Sequence, residues 1–302
     1  RRPEPDVALD ERRIRDSVRQ YMIGAGYRIG FGETLELRAD VQRTRYRKVS
    51  ADLAGDAREN VSSPWLFSGS ALSALSPRLT AFASYSRGLE ESGTAPANAL
   101  NRGEVLPAVL ATQRELGLRY QLAPRLSLIA GLFDTRKPVP GLDSGGRYSF
   151  VGDVRHRGIE ASLAGQLTRR LNVVAGFMLL DARLSGENVE SGRIGPEPAG
   201  RPEQAALLSF GWKVPGTADL ALDGSIAYEG ERFADPANSF TSPGFATVDL
   251  GLRFGFTLGK VPLTLRGRIT NLLDKYAWSA QPSGVFFFTP PRAYGLALRA
   301  SL

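Results

Sequence analysis

The sequence predicts an all-β protein: a transmembrane antiparallel β-barrel, of which residues 1–302 form a C-terminal portion. Three observations predict it. About thirteen segments, each of around ten or more residues, alternate apolar and polar side chains, the period of a strand with two unlike faces. Short and long connections between these segments alternate without a break. No apolar run reaches the roughly eighteen residues that a membrane-spanning helix needs.

In chain order, the first strand falls at about 17–30, where Tyr21, Ile23, Ala25, Tyr27, Ile29 and Phe31 oppose Gln20, Gly24, Gly26 and Arg28. Leu116, Leu118, Tyr120 and Leu122 mark a second clear example, and Ile159, Ala161, Leu163 and Leu167 a third. In "ADLALDGSIAYEGE", Leu220, Leu222, Ile226 and Tyr228 face away from Asp219, Asp223, Ser225 and Glu229. In "FATVDLGLRFGFTL", Ala246, Val248, Leu250, Leu252, Phe254, Phe256 and Leu258 oppose Thr247, Asp249, Gly251, Arg253, Gly255 and Thr257. The chain closes on "AYGLALRASL", with Tyr294, Leu296, Leu298, Ala300 and Leu302 on one face.

Short turns are expected at 31–33, 76–77, 123–124, 168–170, 214–217 and 258–260, and long polar loops at 48–64, 89–111, 136–146, 185–202, 231–244 and 274–291. That asymmetry belongs to outer-membrane barrels, with tight periplasmic turns and long extracellular loops. Soluble sandwiches use shorter strands with more even turn spacing.

Composition narrows the classes. Hydrophobic residues make up 42% and mean hydropathy is −0.17, as expected when lipid-facing and lumen-facing residues average out. There is no cysteine, which excludes disulfides and thiolate metal sites. The net charge of +7 comes from 38 basic residues mixed with 31 acidic ones, without a basic stripe, so nucleic acid is not an expected partner. The charged opening "RRPEPDVALDERRIRD" contains no signal-peptide core.

A count of thirteen is odd, whereas bacterial single-chain barrels have even strand numbers. The expectation is therefore a barrel of 22 strands with a plugged lumen, about nine further strands and the plug lying upstream. On this count residues 1–302 do not support energised uptake alone. Closure falls to the last strand, although Leu302 stands where outer-membrane proteins end on an aromatic. Glu36, Arg38, Asp40, Glu115, Arg119, Glu160, Asp249, Arg253, Arg266, Arg268 and Arg299 are expected on the lumen side. Mixed signs there suit a wall that meets a folded plug.

Several strings go beyond pattern. "QRELGLRYQLAPRLSLIAGLFD" (113–134), "GDVRHRGIEASLAGQL" (152–167), "GRPEQAALLSF" (200–210), "NLLDKYAW" (271–278) and "PPRAYGLAL" (290–298) resemble, in order, landmarks of TonB-dependent outer-membrane receptors, most closely the siderophore branch. The resemblance implies uptake of a ferric siderophore across the bacterial outer membrane, and not an enzyme. It also implies coupling to the TonB complex through an N-terminal segment not present here, a monomer, and contact with outer-membrane lipid and lipopolysaccharide.

No catalytic constellation, metal set or cofactor motif is read from the sequence. His156 is the sole histidine and is expected at the lumen or an interface. Candidate ligand contacts at the extracellular mouth are Arg147, Tyr148, Phe150, Arg232, Phe233, Trp278, Phe286, Phe287 and Phe288. Aromatic faces can wall a siderophore and cations can meet the charge of a ferric complex. The same aromatic residues also suit the interfacial girdle of any barrel. Alternatives left open are TonB-dependent uptake of cobalamin, haem or an oligosaccharide, a general porin, and a soluble β-sheet binding protein.

Overall fold

A computed structural model of the chain describes residues 15–51, 56–217, 219–281 and 284–300. The opening residues 1–14 and the terminal Leu302 lie outside the described residues. The strands begin β1 (Arg15–Phe31), β2 (Leu35–Ala51), β3 (Ala57–Ser62), β4 (Trp65–Ser76), β5 (Leu79–Glu90) and β6 (Val109–Ala123). They continue with β7 (Leu126–Leu142), β8 (Tyr148–Thr168), β9 (Leu171–Gly186), β10 (Gln204–Lys213) and β11 (Leu220–Glu229). A helical turn, α1 (Glu187–Glu190), follows β9. Two short hairpins, β12 (Arg232–Phe233) with β13 (Thr241–Ser242) and β16 (Trp278–Ala280) with β17 (Phe286–Phe288), lie in the connections before β14 (Phe245–Leu258) and after β15 (Val261–Thr270). The last strand is β18 (Ala293–Ala300).

Among the described residues, thirteen strands form one path, β1-β2-β4-β5-β6-β7-β8-β9-β10-β11-β14-β15-β18, and β3 adds to β2 as a fourteenth. Sequence neighbours pair antiparallel throughout, as short turns allow. β18 pairs with β15 and β1 with β2, so the described sheet is an open arc.

Residues directly opposite each other share a face. Leu222, Leu252, Gly267 and Leu296 form one such row, and Asp223, Gly251, Arg268 and Gly295 the adjacent row on the other face. Carried strand to strand, this register puts all the charged residues expected on the lumen side, from Glu36 to Arg299, on one polar face. That face is stitched by ion pairs: Glu36 joins Arg28 to Arg38, and Arg268 reaches Asp249 at 3.0 Å. The apolar face stays uncovered. Ile23, Leu116, Ile159 and Leu296 are exposed, with Leu296 at 79%. A soluble sheet would bury such a continuous apolar face, whereas lipid covers a barrel's. Most of the buried apolar residues instead sit near the long-loop end, among them Leu66, Ala95, Ala99, Val105, Leu106 and Val109.

All six short turns lie where expected, to within about two residues at their edges. One long loop is shorter than expected. Residues 136–142, expected within the long polar loop 136–146, continue β7 and pair with β8 up to Leu142 opposite Tyr148. β6 pairs with β7 only as far as Arg136, so beyond it β7 is an edge strand that tolerates proline, and the register shift falls at Val139/Pro140. The 48–64 loop likewise contains β3 and the end of β2.

Candidate functional site at the long-loop end

The long connections all emerge at one end of the sheet and are tied to one another. The segment 91–108 packs over the polar face of β2, where Thr44, Tyr46, Lys48 and Ser50 are buried. The Ser92 N–H donates to the Tyr46 hydroxyl at 3.3 Å. Lys48 Nζ donates to the Ser92 carbonyl at 2.7 Å and to Glu91 at 2.8 Å and pairs with Asp16 at 3.5 Å, so all three donors of the buried ammonium have partners. Asn101 then clasps Tyr148: its Nδ2 donates to the Tyr148 carbonyl at 2.9 Å, and its Oδ1 accepts the Tyr148 N–H at 2.7 Å.

The next clasp joins the 143–147 turn to α1, through Ser144 N–H to Glu187 at 2.9 Å and Asn188 Nδ2 to the Leu142 carbonyl at 3.1 Å. Asn238, whose φ of 58° suits asparagine, bonds both the N–H and the carbonyl of Glu197 at 2.9 Å. Arg232 makes the last clasp, with Glu229 at 2.6 Å and Ser279 Oγ at 3.3 Å, while Ser242 Oγ donates to the Trp278 carbonyl at 2.7 Å. Each long loop from 91–108 to 271–292 is thus fastened to the next.

This network sorts the expected ligand contacts. Arg147 is exposed and pairs with Glu104 at 3.3 Å, Tyr148 is half-buried in the Asn101 clasp, and Phe150 lies opposite Pro140 at the register shift. Arg232 is buried, its side chain 4% exposed, with its guanidinium over the Phe245 ring. That is the position of a loop clamp. Its Nε is buried and has no hydrogen-bond partner among the described residues. Phe233 is half-buried, and its carbonyl accepts the Gly200 N–H at 2.8 Å.

Trp278, Phe286 and Phe288 do come together. In the β16–β17 hairpin Trp278 opposes Phe288, and Ala280 opposes Phe286. Trp278 meets Phe288 and Phe286 edge to face at 5.7 and 6.3 Å, and Tyr276 stacks near Phe288 at 6.2 Å. Phe287, on the opposite face of the hairpin, is 60% exposed. Tyr276 was not among the expected contacts, although its even spacing from Trp278 was a readable signal.

The string landmarks prove architectural. Asn271, at φ 47°, holds the Lys275 and Pro290 carbonyls, and Asp274, at φ 50°, accepts the Arg292 N–H. These bonds tie 271–278 to 290–292. Phe133 lies over Gly158, where an added Cβ would meet its ring at 2.5 Å, and Asp134 is held by Arg155. His156 is half-buried on the polar face between Thr135 and Ala182. Among the described residues no three metal-ligating side chains cluster.

Comparisons with known proteins bear on this architecture. The family model described as TonB dependent receptor-like, beta-barrel, matches residues 4–272. The ferrichrome receptor FcuA of Yersinia enterocolitica is 25% identical over 202 residues, 66% of this chain and 26% of that protein. The probable TonB-dependent siderophore receptor PiuA of Acinetobacter baumannii is 28% identical over 172 residues, 53% of this chain and 22% of its own length. The chain therefore spans about a quarter of the length of these curated relatives. In fold, the crystal structure of BauA, the ferric preacinetobactin receptor from Acinetobacter baumannii, superposes with a TM-score of 0.80 at 24% identity. The match covers 94% of this chain and 43% of that one.

Proposed function

The chain belongs to the TonB dependent receptor-like β-barrel family, and from that premise we propose that it is the barrel wall of an outer-membrane transporter for ferric siderophores. The observation that carries the reading is the two-faced sheet whose loops are fastened together at one end only. The apolar face meets outer-membrane lipid and lipopolysaccharide, and the loop end opens outside the cell. The polar face, with Arg253 directly opposite Arg266, suits a folded plug that supplies carboxylates. In this reading energy arrives from the TonB complex through a segment N-terminal to these residues, and the transporter is a monomer. Relatives named as ferrichrome and siderophore receptors support the ligand class.

Ligand contact falls to the exposed aromatic hairpin of Tyr276, Trp278, Phe286 and Phe288, with Phe287 and the exposed Arg147 as further contacts. Tyr148, Phe150, Arg232 and Phe233 shape the mouth from behind. The test is growth of a receptor-null strain under iron limitation, supplied with single ferric siderophores and the full-length gene. Growth on at least one siderophore that vanishes when TonB is removed is the expected result. Uptake that persists without TonB would refute the reading in favour of a passive pore.

A further inference from the structure

On the polar face, directly opposite residues form a row near the loop end that the uptake reading does not use. Ser86, Gln113, Thr135, His156 and Ala182 stand side by side on β5, β6, β7, β8 and β9. The Leu180 N–H donates to the Glu203 carbonyl at 2.7 Å, which continues the β9–β10 ladder beyond Gln204 and carries Arg201 to the level of Ala182. The row thus ends on a cation. His156 stands twelve residues from Thr168 at the turn. At about 3.4 Å per residue and a tilt of about 40°, this sets it roughly 30 Å above the turn, beyond an apolar band about 25 Å tall. The row therefore climbs the inner wall to a level just under the loop clasps.

The donors at its upper end are uncommitted. Among the described residues the Thr135 hydroxyl, the His156 imidazole and the exposed Arg201 guanidinium make no hydrogen bond or ion pair. Nearby carboxylates are held by other groups: Glu115 accepts from Ser84 at 3.3 Å and from Gln113, and Glu90 accepts from Lys137 at 2.7 Å. Glu203, two residues beyond Arg201, forms no ion pair with it. Arg201 and Lys137 are the two cations whose charges act on the imidazole. His156 and Arg201 flank Ala182 from the strands on either side, with backbones about 10 Å apart. Alanine ends at its Cβ, so the space between imidazole and guanidinium is open to the oxygen atoms of a ligand. Imidazole offers one N–H in either tautomer, the hydroxyl another donor and the guanidinium a fork, which is a set that recognises anionic oxygen. We propose that Thr135, His156 and Arg201, around Ala182, form an anion-binding station on the inner wall that selects negatively charged ferric complexes over neutral ones. It rests on the uptake reading and adds the charge class of the cargo.

The test measures binding to the full-length receptor in detergent by quenching of tryptophan fluorescence. The probes are a ferric tris-catecholate and ferric citrate, both anionic, and a neutral ferric tris-hydroxamate. We expect at least one anionic complex to bind more tightly than the neutral one. H156Q/R201Q should weaken that complex about tenfold or more and change the neutral one by no more than about twofold. A second variant, A182L, removes no charge but fills the space between the two side chains, and should also weaken the anionic complex. Heat-modified mobility on gels identifies folded variants, and either one alone decides the outcome. Tighter or equal binding of the neutral complex by the unaltered receptor, or unchanged anionic affinity in a folded variant, would overturn the station. A lowered melting temperature with unchanged affinity would assign these donors to a carboxylate of the plug instead, and would overturn it too. TonB-dependent uptake of neutral complexes only would leave the uptake reading standing and remove the station, whereas a receptor that binds no ferric complex would refute both.

Discussion

Leu252 is a sharp probe of which face meets lipid. It sits near the middle of β14, on the apolar face, between Leu222 and Gly267 in the register, while the next residue, Arg253, faces the polar side opposite Arg266. Six residues separate it from Leu258 at the turn. At about 3.4 Å per residue and a tilt of about 40°, this sets it roughly 15 Å above the turn, near the centre of an apolar band about 25 Å tall. Leu252→Arg should therefore cost about 2–4 kcal/mol, whereas Leu258→Arg at the band edge should cost only about 0–1 kcal/mol. Exchanging the neighbours, Leu252→Arg with Arg253→Leu, keeps the composition and should still cost at least the single-variant penalty. Guanidinium titrations of the full-length receptor in vesicles, followed by tryptophan fluorescence, measure all three. If Leu252→Arg falls within about 0.5 kcal/mol of Leu258→Arg, the apolar face does not point to lipid.

Gly158→Ala should lower stability by about 1–3 kcal/mol, because its Cβ would come 2.3 Å from the Leu179 carbonyl oxygen; an unchanged titration midpoint would contradict the close approach. Arg232→Met removes the clamp on Glu229 and Ser279, and hydrogen exchange should rise in 230–244 and 271–281 at a cost of about 1–3 kcal/mol; unaltered exchange would mean the clasp holds nothing. Trp278→Ala combined with Phe288→Ala should weaken ferric siderophore binding about three- to tenfold, read by quenching of the remaining tryptophans, and full affinity would remove the hairpin from the ligand site. An epitope tag within 187–203 should be labelled on intact cells, and one at Gly259–Lys260 only after permeabilisation; the reverse would invert the topology.

The sequence by itself determined the strands, their two faces and the alternation of turns and loops. These follow from the period of two, and the residues of "FATVDLGLRFGFTL" declare their sides without any partner. It also grouped Trp278 with Phe286, Phe287 and Phe288 as candidate ligand contacts, since they fall within one connection. The tertiary structure alone decided what the remaining mouth residues do. Whether Arg232 is a free cation or a buried clamp depends on Ser279 and Glu229, and no local pattern encodes a partner 47 residues away. The clasps of Asn101 and Asn238 are equally silent, because an asparagine in a glycine- and proline-rich stretch reads as a turn residue whichever loop it grips. Residues 136–146 read as a polar loop, and only the pairing of β6, which stops at Arg136, reveals the free edge that admits Pro138 and Pro140 to β7.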